Sequence, residues 1–177
     1  MSNLDLAIRE AAKLHSGQFR DGEEPLPYIV HPVEVLTNLR TVGGVTDEEM
    51  LVAAALHDTI EEANADLGKL TEKFGERAGR LVWELTRVEP TKEQTKGMTA
   101  EQKWRLRSDM LLDEIAQMSD DAKVIKLADR LSNLREALRT RNGERLERYM
   151  TQTRDILVVI PRELNPPLWD AVQALCG

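Results

Sequence analysis

The sequence has a single cysteine, Cys176, which lies next to its C-terminal residue. One cysteine cannot form an intrachain disulfide, and this suits the reducing cytosol. No basic segment followed by an apolar run opens the chain, so we expect no secretory signal. No stretch approaches the roughly 18 apolar residues that a membrane span requires. These absences predict a cytoplasmic protein that does not enter a membrane.

The sequence also lacks an excess of positive charge. Its 24 Lys and Arg residues face 31 Asp and Glu residues, which gives a net charge of −7. A broad nucleic-acid surface needs clustered Lys and Arg, so we expect no nucleic-acid partner. A small anionic ligand remains compatible with this charge, since it needs only a local positive pocket or a metal ion. The length of 177 residues predicts one domain over residues 1–177.

Apolar residues recur with helical spacing along the whole chain, and no strand pair is evident. Ser2 is expected to begin the first helix, and Thr46 with Glu49 matches a capping box for the third. Segments rich in Gly, Pro and charge predict loops at residues 16–28 and 88–98. Further helices are expected near residues 67–73, 77–87, 99–117 and 119–139, then up to residue 159, and at the C-terminus. The sequence therefore predicts an all-α bundle.

The third predicted helix carries the main functional signal. Its residues 51–56 (LVAAAL) are apolar on nearly every side, which is typical of a buried helix. We expect this helix to run directly into His57 and Asp58, with Glu61 and Glu62 one turn later. Burying unpaired charge is costly, so this cluster needs a partner. A divalent cation such as Mn²⁺, Fe²⁺ or Zn²⁺ suits imidazole and carboxylate ligands, and the two glutamates could handle protons or orient a water.

Two other segments carry residues of the same chemical types. At about 100° per residue, Lys126, Asp129 and Asn133 share one face of a long helix, beside its apolar stripe. His31 precedes Pro32, whose ring restricts the backbone and so helps to fix the direction of the imidazole. Together with the third helix, this pattern favours a metal site.

Single residues of this pattern also have ordinary structural interpretations. His15 is more often a packing or surface residue than a functional one. Asp129 alone could be an exposed ion-pair partner of Arg130 or Arg135. Glu61 and Glu62 alone could be a solvated helix end. Only the joint pattern supports the metal site.

Ordered motifs over residues 5–155 make the sequence recognisable. They are AAKLHSGQ (11–18), PYIVHP (27–32), AAALHDTIEE (53–62), FG (74–75), KLADRL (126–131) and NLR (133–135). The sequence resembles the HD-domain phosphohydrolases, and within them the hydrolase domain of the RelA/SpoT family. It is most similar to the stand-alone small alarmone hydrolases, which include the metazoan SpoT homologue. The resemblance implies a single-domain helical bundle of the HD type.

The resemblance also implies a reaction and a role for matched residues. One metal ion, usually Mn²⁺, would be held by His31, His57, Asp58 and Asp129. Glu61 and Glu62 would activate and position the attacking water. Arg20 would stack on the purine base, a task that suits a flat guanidinium, and the other substrate contacts would be Asn133, Lys126 and Tyr149. The implied reaction removes the 3′-pyrophosphate of guanosine tetra- or pentaphosphate (ppGpp or pppGpp) and gives GDP or GTP and pyrophosphate.

Three positions depart from the family pattern. Asp21 stands where members often carry Lys, Glu62 where Asp is commoner, and Ser132 where many long members have His. Since no predicted metal ligand is among them, these departures bear on substrate preference more than on hydrolysis.

Two alternatives therefore stay open beside the guanosine alarmone. One is a related phosphohydrolase that acts on adenine alarmones or on the 2′-phosphate of NADPH. The other is a nucleotide-binding module without catalysis. Neither the oligomeric state nor the physiological metal follows from the sequence, and Lys103, Arg105 and Arg107 are only positional candidates for contacts to the 5′-phosphates.

Overall fold

The computed structural model describes residues 2–20 and 25–177. The helices are α1 (Asn3–Leu14), α2 (Val30–Thr41), α3 (Glu48–Leu56), α4 (Thr59–Ala63), α5 (Leu67–Phe74), α6 (Glu76–Leu85), α7 (Ala100–Gln117), α8 (Asp120–Thr140), α9 (Gly143–Val159) and α10 (Pro166–Cys176). A short 3₁₀ turn at Arg162–Leu164 precedes α10. Within the described ranges, the one strand-like feature is an isolated bridge between Phe19 and Pro27. The predicted all-α class is confirmed.

Side-chain caps explain where most of the predicted helices begin. The Ser2 side chain accepts a hydrogen bond from the amide of Asp5, so α1 starts as expected. Thr99 and Ser119 cap α7 and α8 in the same way. The observed ends of these helices lie within one or two residues of the predicted ends, which is the usual uncertainty of a helix terminus.

The start of α3 differs from the prediction. The capping box at Thr46 is wrong, because Asp47 is the N-cap and its side chain accepts the amide hydrogen of Met50. Glu49 therefore cannot complete the box, and its carboxylate lies 3.0 Å from a guanidinium nitrogen of Arg77. Thr46 and Asp47 are both good N-cap types, and the ion pairs of Arg77 with Asp47 and Glu49 accompany the later start.

The centre of the bundle is formed by α3 and α8. Residues 50–56 of α3 are all buried, and this helix contacts α1, α2, α6 and α8. Helix α8 also contacts α2, α6, α9 and α10. Any polar group at the C-terminal end of α3 therefore enters the protein interior. No helix in the described ranges is both long and apolar enough to cross a bilayer.

Candidate active site

A break in the helical path brings two predicted site residues together. Helix α3 ends at Leu56 and α4 begins at Thr59, so the prediction of one continuous helix through residue 62 is wrong. Asp58 has φ −93° and ψ −3°, and the Thr59 hydroxyl donates to the Leu56 carbonyl at 2.7 Å. Neighbouring side chains of a regular helix diverge by about 100°. At this turn, Nε2 of His57 instead lies 3.0 Å from Oδ1 of Asp58.

Four side chains from three segments converge at the turn. Nε2 of His31, on α2, lies 3.3 Å from Oδ2 of Asp58 and 3.3 Å from Oδ1 of Asp129, on α8. Nε2 of His57 lies 3.2 Å from Nε2 of His31 and 3.8 Å from Oδ1 of Asp129. Ligand atoms of His31, His57 and Asp129 all lie within 4.8 Å of one another, and Asp58 contacts both imidazoles. Two imidazole nitrogens and one carboxylate therefore lie close enough to share one ion, and the carboxylate of Asp58 lies beside both imidazoles.

The hydrogen bond of Nδ1 of His57, its ring nitrogen that points away from the cluster, shows that these side chains suit a cation. Nδ1 of His57 lies 2.9 Å from the carbonyl oxygen of Ala54. A carbonyl only accepts, so Nδ1 carries the hydrogen and Nε2 of the neutral ring has its lone pair free. That lone pair faces His31 and two carboxylates, and such a group of donors repels unless positive charge lies among them. Mixed imidazole and carboxylate ligands fit a divalent transition metal.

The charges of these four side chains also favour the binding of a cation. Burial alone would lower the pKa of His31, but its hydrogen bonds to Asp129 and Asp58 raise the pKa to about 9. Burial would raise the pKa of Asp129, yet Lys126 and His31 hold this pKa well below its ordinary value. The pKa of Asp58 is lowered against burial by His57 and His31. Two ionised carboxylates thus need compensating charge, which a proton on His31 or a metal ion supplies.

Both oxygens of Asp129 are held by its own helix. Nζ of Lys126 lies 3.0 Å from Oδ2, and Nδ2 of Asn133 donates to Oδ1 at 2.5 Å. The amide oxygen of Asn133 accepts a hydrogen bond from Nη2 of Arg20 at 3.1 Å. Arg20 also forms an ion pair with Glu136. The Asn133 side chain is therefore engaged at both ends, and it links the candidate metal ligand Asp129 to Arg20.

The two glutamates of α4 lie at the mouth of the site. Both are exposed and both line the same cleft as Asp58 and Asp129. Oε2 of Glu61 accepts a hydrogen bond from the backbone amide of Arg87 at 3.3 Å. Neighbouring protein atoms displace water from Glu61, and Asp58 repels its charge, so its pKa is raised. A carboxylate with a raised pKa accepts a proton more readily.

The cleft has a volume of about 460 Å³, and the predicted substrate contacts Arg20, Lys126, Asn133 and Tyr149 all line it. Three further basic residues line it as well, and sequence analysis missed them as substrate contacts: Arg87, Arg130 and Arg141. The guanidinium carbons of Arg130 and Arg141 lie 4.1 and 4.5 Å from the centre of the Tyr149 ring. Arg130 lies within the KLADRL motif, whereas no pattern marks Arg87 or Arg141.

Other candidates lie elsewhere. Lys103, Arg105 and Arg107 are not among the described residues that line the cleft. Nε of Arg105 is 3.0 Å from Glu101, and Nε of Arg107 is 2.8 Å from Glu89. Sequence position near the 88–98 loop was therefore a poor guide to the cleft. Asp21 lies outside the described residues.

Tyr28 lines the cleft, and His15 packs against it. His15 is buried, and its ring stacks on that of Tyr28 with centres 4.7 Å apart, which agrees with the packing interpretation. The hydroxyl of Tyr28 donates to Oδ2 of Asp58 at 2.7 Å. Sequence analysis gave Tyr28 no role, although it lies in the PYIVHP motif with His31.

Comparison with known proteins identifies the family of this chain. The family model described as "HD domain" matches residues 7–160, which is most of the chain. The chain belongs to the HD-domain family. The resemblance drawn from its motifs, and the single-domain HD fold that the resemblance implied, are confirmed.

The HD-domain chain is similar to curated relatives named guanosine-3′,5′-bis(diphosphate) 3′-pyrophosphohydrolase MESH1. The Xenopus tropicalis protein is 35% identical over 133 residues, which are 75% of this chain and 68% of the relative. The Drosophila melanogaster protein is 32% identical over 154 residues, or 85% and 80% of the two chains. The Homo sapiens protein is 36% identical, and the match spans only 64% of its length.

A solved structure supports the same relationship. It is described as a metazoan ortholog of SpoT that hydrolyzes ppGpp, and it superposes with a TM-score of 0.83 and 28% sequence identity. The match covers 99% of this chain and 94% of that one. The HD-domain chain therefore shares nearly the whole architecture of this relative.

Proposed function

We propose that this protein hydrolyses ppGpp and pppGpp at the 3′ position and releases pyrophosphate with GDP or GTP. The observation that carries the proposal is the convergence of His31, His57, Asp58 and Asp129 at one end of a cleft lined by basic side chains. The names of the MESH1 relatives and the description of the SpoT ortholog support the choice of substrate.

The proposed cofactor is one Mn²⁺ ion held by these four side chains. The two imidazole nitrogens and two carboxylates match the ligand preference of such an ion. When bound, the cation supplies positive charge that polarises the phosphoryl group. Lys126 and Asn133 hold the carboxylate of Asp129 in place, and Tyr28 does the same for Asp58.

Glu61 and Glu62 are proposed to take the proton from the attacking water. They lie in the cleft one turn beyond His57 and Asp58, and the raised pKa of Glu61 suits a general base. The water oxygen forms a bond to phosphorus while the bond from phosphorus to the ribose 3′ oxygen breaks. The ribose keeps its 3′ oxygen, which gains a proton, and pyrophosphate leaves.

The opposite end of the cleft is proposed to bind the rest of the nucleotide. Arg20 presents its guanidinium to the purine base, with its direction set by Glu136 and Asn133. Arg87, Arg130 and Arg141 supply charge for the phosphates, and the last two lie against the ring of Tyr149. Lys126, which pairs with Asp129, supplies charge for a phosphate next to the metal ligands. Asn133 is proposed to face the ribose, which requires that it exchange one of its present hydrogen bonds.

Turnover of ppGpp with Mn²⁺ tests the proposal. We expect GDP and pyrophosphate in equal amounts, separated by anion-exchange chromatography, and no product from the Glu61→Gln, Glu62→Gln double variant. Adenine alarmones and NADPH belong in the same screen, and NADPH cleaved at its 2′-phosphate would give orthophosphate. Preferred turnover of either would overturn the guanosine assignment. Binding of ppGpp without turnover of any compound, with Mn²⁺ saturating, would identify a binding module and overturn hydrolysis.

Several broader predictions accompany this proposal. A cytoplasmic location and a single domain over the full range 1–177 remain predictions. The proposed partner is a small nucleotide, with neither nucleic acid nor membrane as a partner, and the net charge of −7 supports the first exclusion.

A further inference from the structure

A chain of two hydrogen bonds leads from His31 away from the candidate metal site. Nδ1 of His31, on the ring edge opposite the site, lies 3.1 Å from Oγ of Ser132. The same Oγ lies 2.8 Å from Oε2 of Glu34. His31 and Ser132 are almost fully buried, whereas Glu34 is only partly buried. The contacts join α2 to α8, the two helices that also carry His31 and Asp129.

The direction of each hydrogen bond follows from the chemistry of the groups. An ionised carboxylate only accepts, so the Ser132 hydroxyl hydrogen points to Glu34. The serine oxygen then has only lone pairs left for His31, and it accepts the hydrogen on Nδ1. In a neutral imidazole with Nδ1 protonated, Nε2 carries no hydrogen, and its lone pair is free to bind a metal ion. That atom faces Asp58 and Asp129.

We propose that Glu34 and Ser132 are positioning residues that hold His31 as the Nδ1–H tautomer and aim its Nε2 at the metal. This inference rests on the proposed metal site. Partners of the outer nitrogen of a metal-bound histidine typically change metal affinity by about 10- to 100-fold when they are removed. A hydroxyl without the carboxylate could rotate and donate to Nδ1, which would favour the wrong tautomer.

The two histidines of the site differ in the groups that bind their Nδ1 atoms. The outer nitrogen of His57 donates to the backbone carbonyl of Ala54, a group that every residue type supplies at that position. The outer nitrogen of His31 depends on two side chains from different helices.

Metal affinity measured without substrate tests the inference. The variants are Ser132→Ala and Glu34→Ala, with Ser132→Thr as the variant that restores the hydroxyl. Thr37→Ala is the matched control, because it removes a hydroxyl from α2 that bonds only the Val33 carbonyl among the described contacts. Free Mn²⁺ is followed by electron paramagnetic resonance during titration, and the visible spectrum of the Co²⁺ form reports the ligand geometry. Thermal unfolding of the metal-free proteins measures the fold separately.

We expect Ser132→Ala and Glu34→Ala to bind Mn²⁺ about 10- to 100-fold more weakly and to alter the Co²⁺ spectrum. Ser132→Thr and Thr37→Ala should stay within about threefold of the parent protein, and the metal-free unfolding temperatures should change little. Affinities within about threefold for both alanine variants would overturn the inference. If Ser132→Ala does not fold, Glu34→Ala at the more exposed end decides alone. The two proposals can fail separately. If Glu34→Ala weakens Mn²⁺ binding but the parent protein does not cleave ppGpp, this inference is supported and the proposed function is refuted.

Discussion

The metal-facing end of the cleft and its basic end are built in opposite ways. The first is mostly buried. His31, His57 and Asp129 there are held by a backbone carbonyl or by side chains of α8. The second consists of Tyr149 and of arginines that range from the buried Arg130 to the exposed Arg141. These residues come from the segment just after α6, from α8, from the α8–α9 junction and from α9. A fixed end suits chemistry that needs defined atoms, whereas basic side chains from several elements suit the binding of phosphates. We therefore expect changes at the two ends to affect different kinetic parameters.

We expect the largest effect from Asp129→Ala, at the metal-facing end of the cleft. The change removes a ligand and leaves Lys126 and Asn133 without their shared partner. We expect Mn²⁺ affinity to fall by more than about 100-fold, beyond the loss typical of residues that only orient a ligand, and turnover to become undetectable. Calorimetric titration with Mn²⁺ and the ppGpp assay measure the two effects. Retained metal affinity would remove Asp129 from the ligand set.

Glu62→Gln should separate chemistry from metal binding at the same end. We expect kcat to fall by about 100- to 10,000-fold, because the amide cannot accept the proton of the attacking water. Mn²⁺ affinity should stay within about threefold. Glu72→Gln on α5, which is exposed and is not among the residues that line the cleft, is the control and should retain full activity. Loss of the metal in Glu62→Gln would show that Glu62 is a ligand.

Lowering the pH should weaken Mn²⁺ binding through His31. The pKa of this residue is raised from 6.5 to about 9 in the folded, metal-free protein, so its proton stabilises that state below about pH 6.5 and this stabilisation is lost as the pH rises through 9. The cation must displace this proton, and its affinity should fall about tenfold for each pH unit between 8.5 and 6.5. Calorimetry in buffers of different ionisation enthalpy should detect close to one released proton. An affinity independent of pH would contradict the account.

The basic end should respond most weakly. Arg141→Ala removes one of the two guanidinium groups against Tyr149. We expect KM for ppGpp to rise about threefold to tenfold with kcat and Mn²⁺ affinity unchanged. Arg139→Ala, an exposed neighbour on the last turn of α8, serves as the control. A large fall in kcat for Arg141→Ala would mean that the two ends are not separable.

Candidate residues at the metal-facing end could be predicted from the sequence because short stretches of sequence mark them. His57 and Asp58 follow an apolar helix directly, and Lys126, Asp129 and Asn133 recur at helical spacing on one face. Burial makes such polar clusters conspicuous, since unpaired charge there is costly. The helical class and most helix ends followed from the same patterns.

What the sequence could not predict depends on contacts between distant segments. The turn at His57 and Asp58 lies between two stretches that each look helical, so spacing alone favoured one continuous helix. The hydrogen bonds of Tyr28 to Asp58 and of Ser132 to Glu34 join residues 30 and 98 positions apart. Arg87 and Arg141 are isolated charges in polar segments, and only the folded chain brings them to the cleft.

The most direct test of the central claim is a crystal structure grown with Mn²⁺ and measured with anomalous scattering at the manganese edge. We expect one anomalous peak within coordination distance of His31 Nε2, His57 Nε2 and the carboxylates of Asp58 and Asp129. A peak elsewhere in the protein, or a peak that two or more of these side chains do not reach, would contradict it.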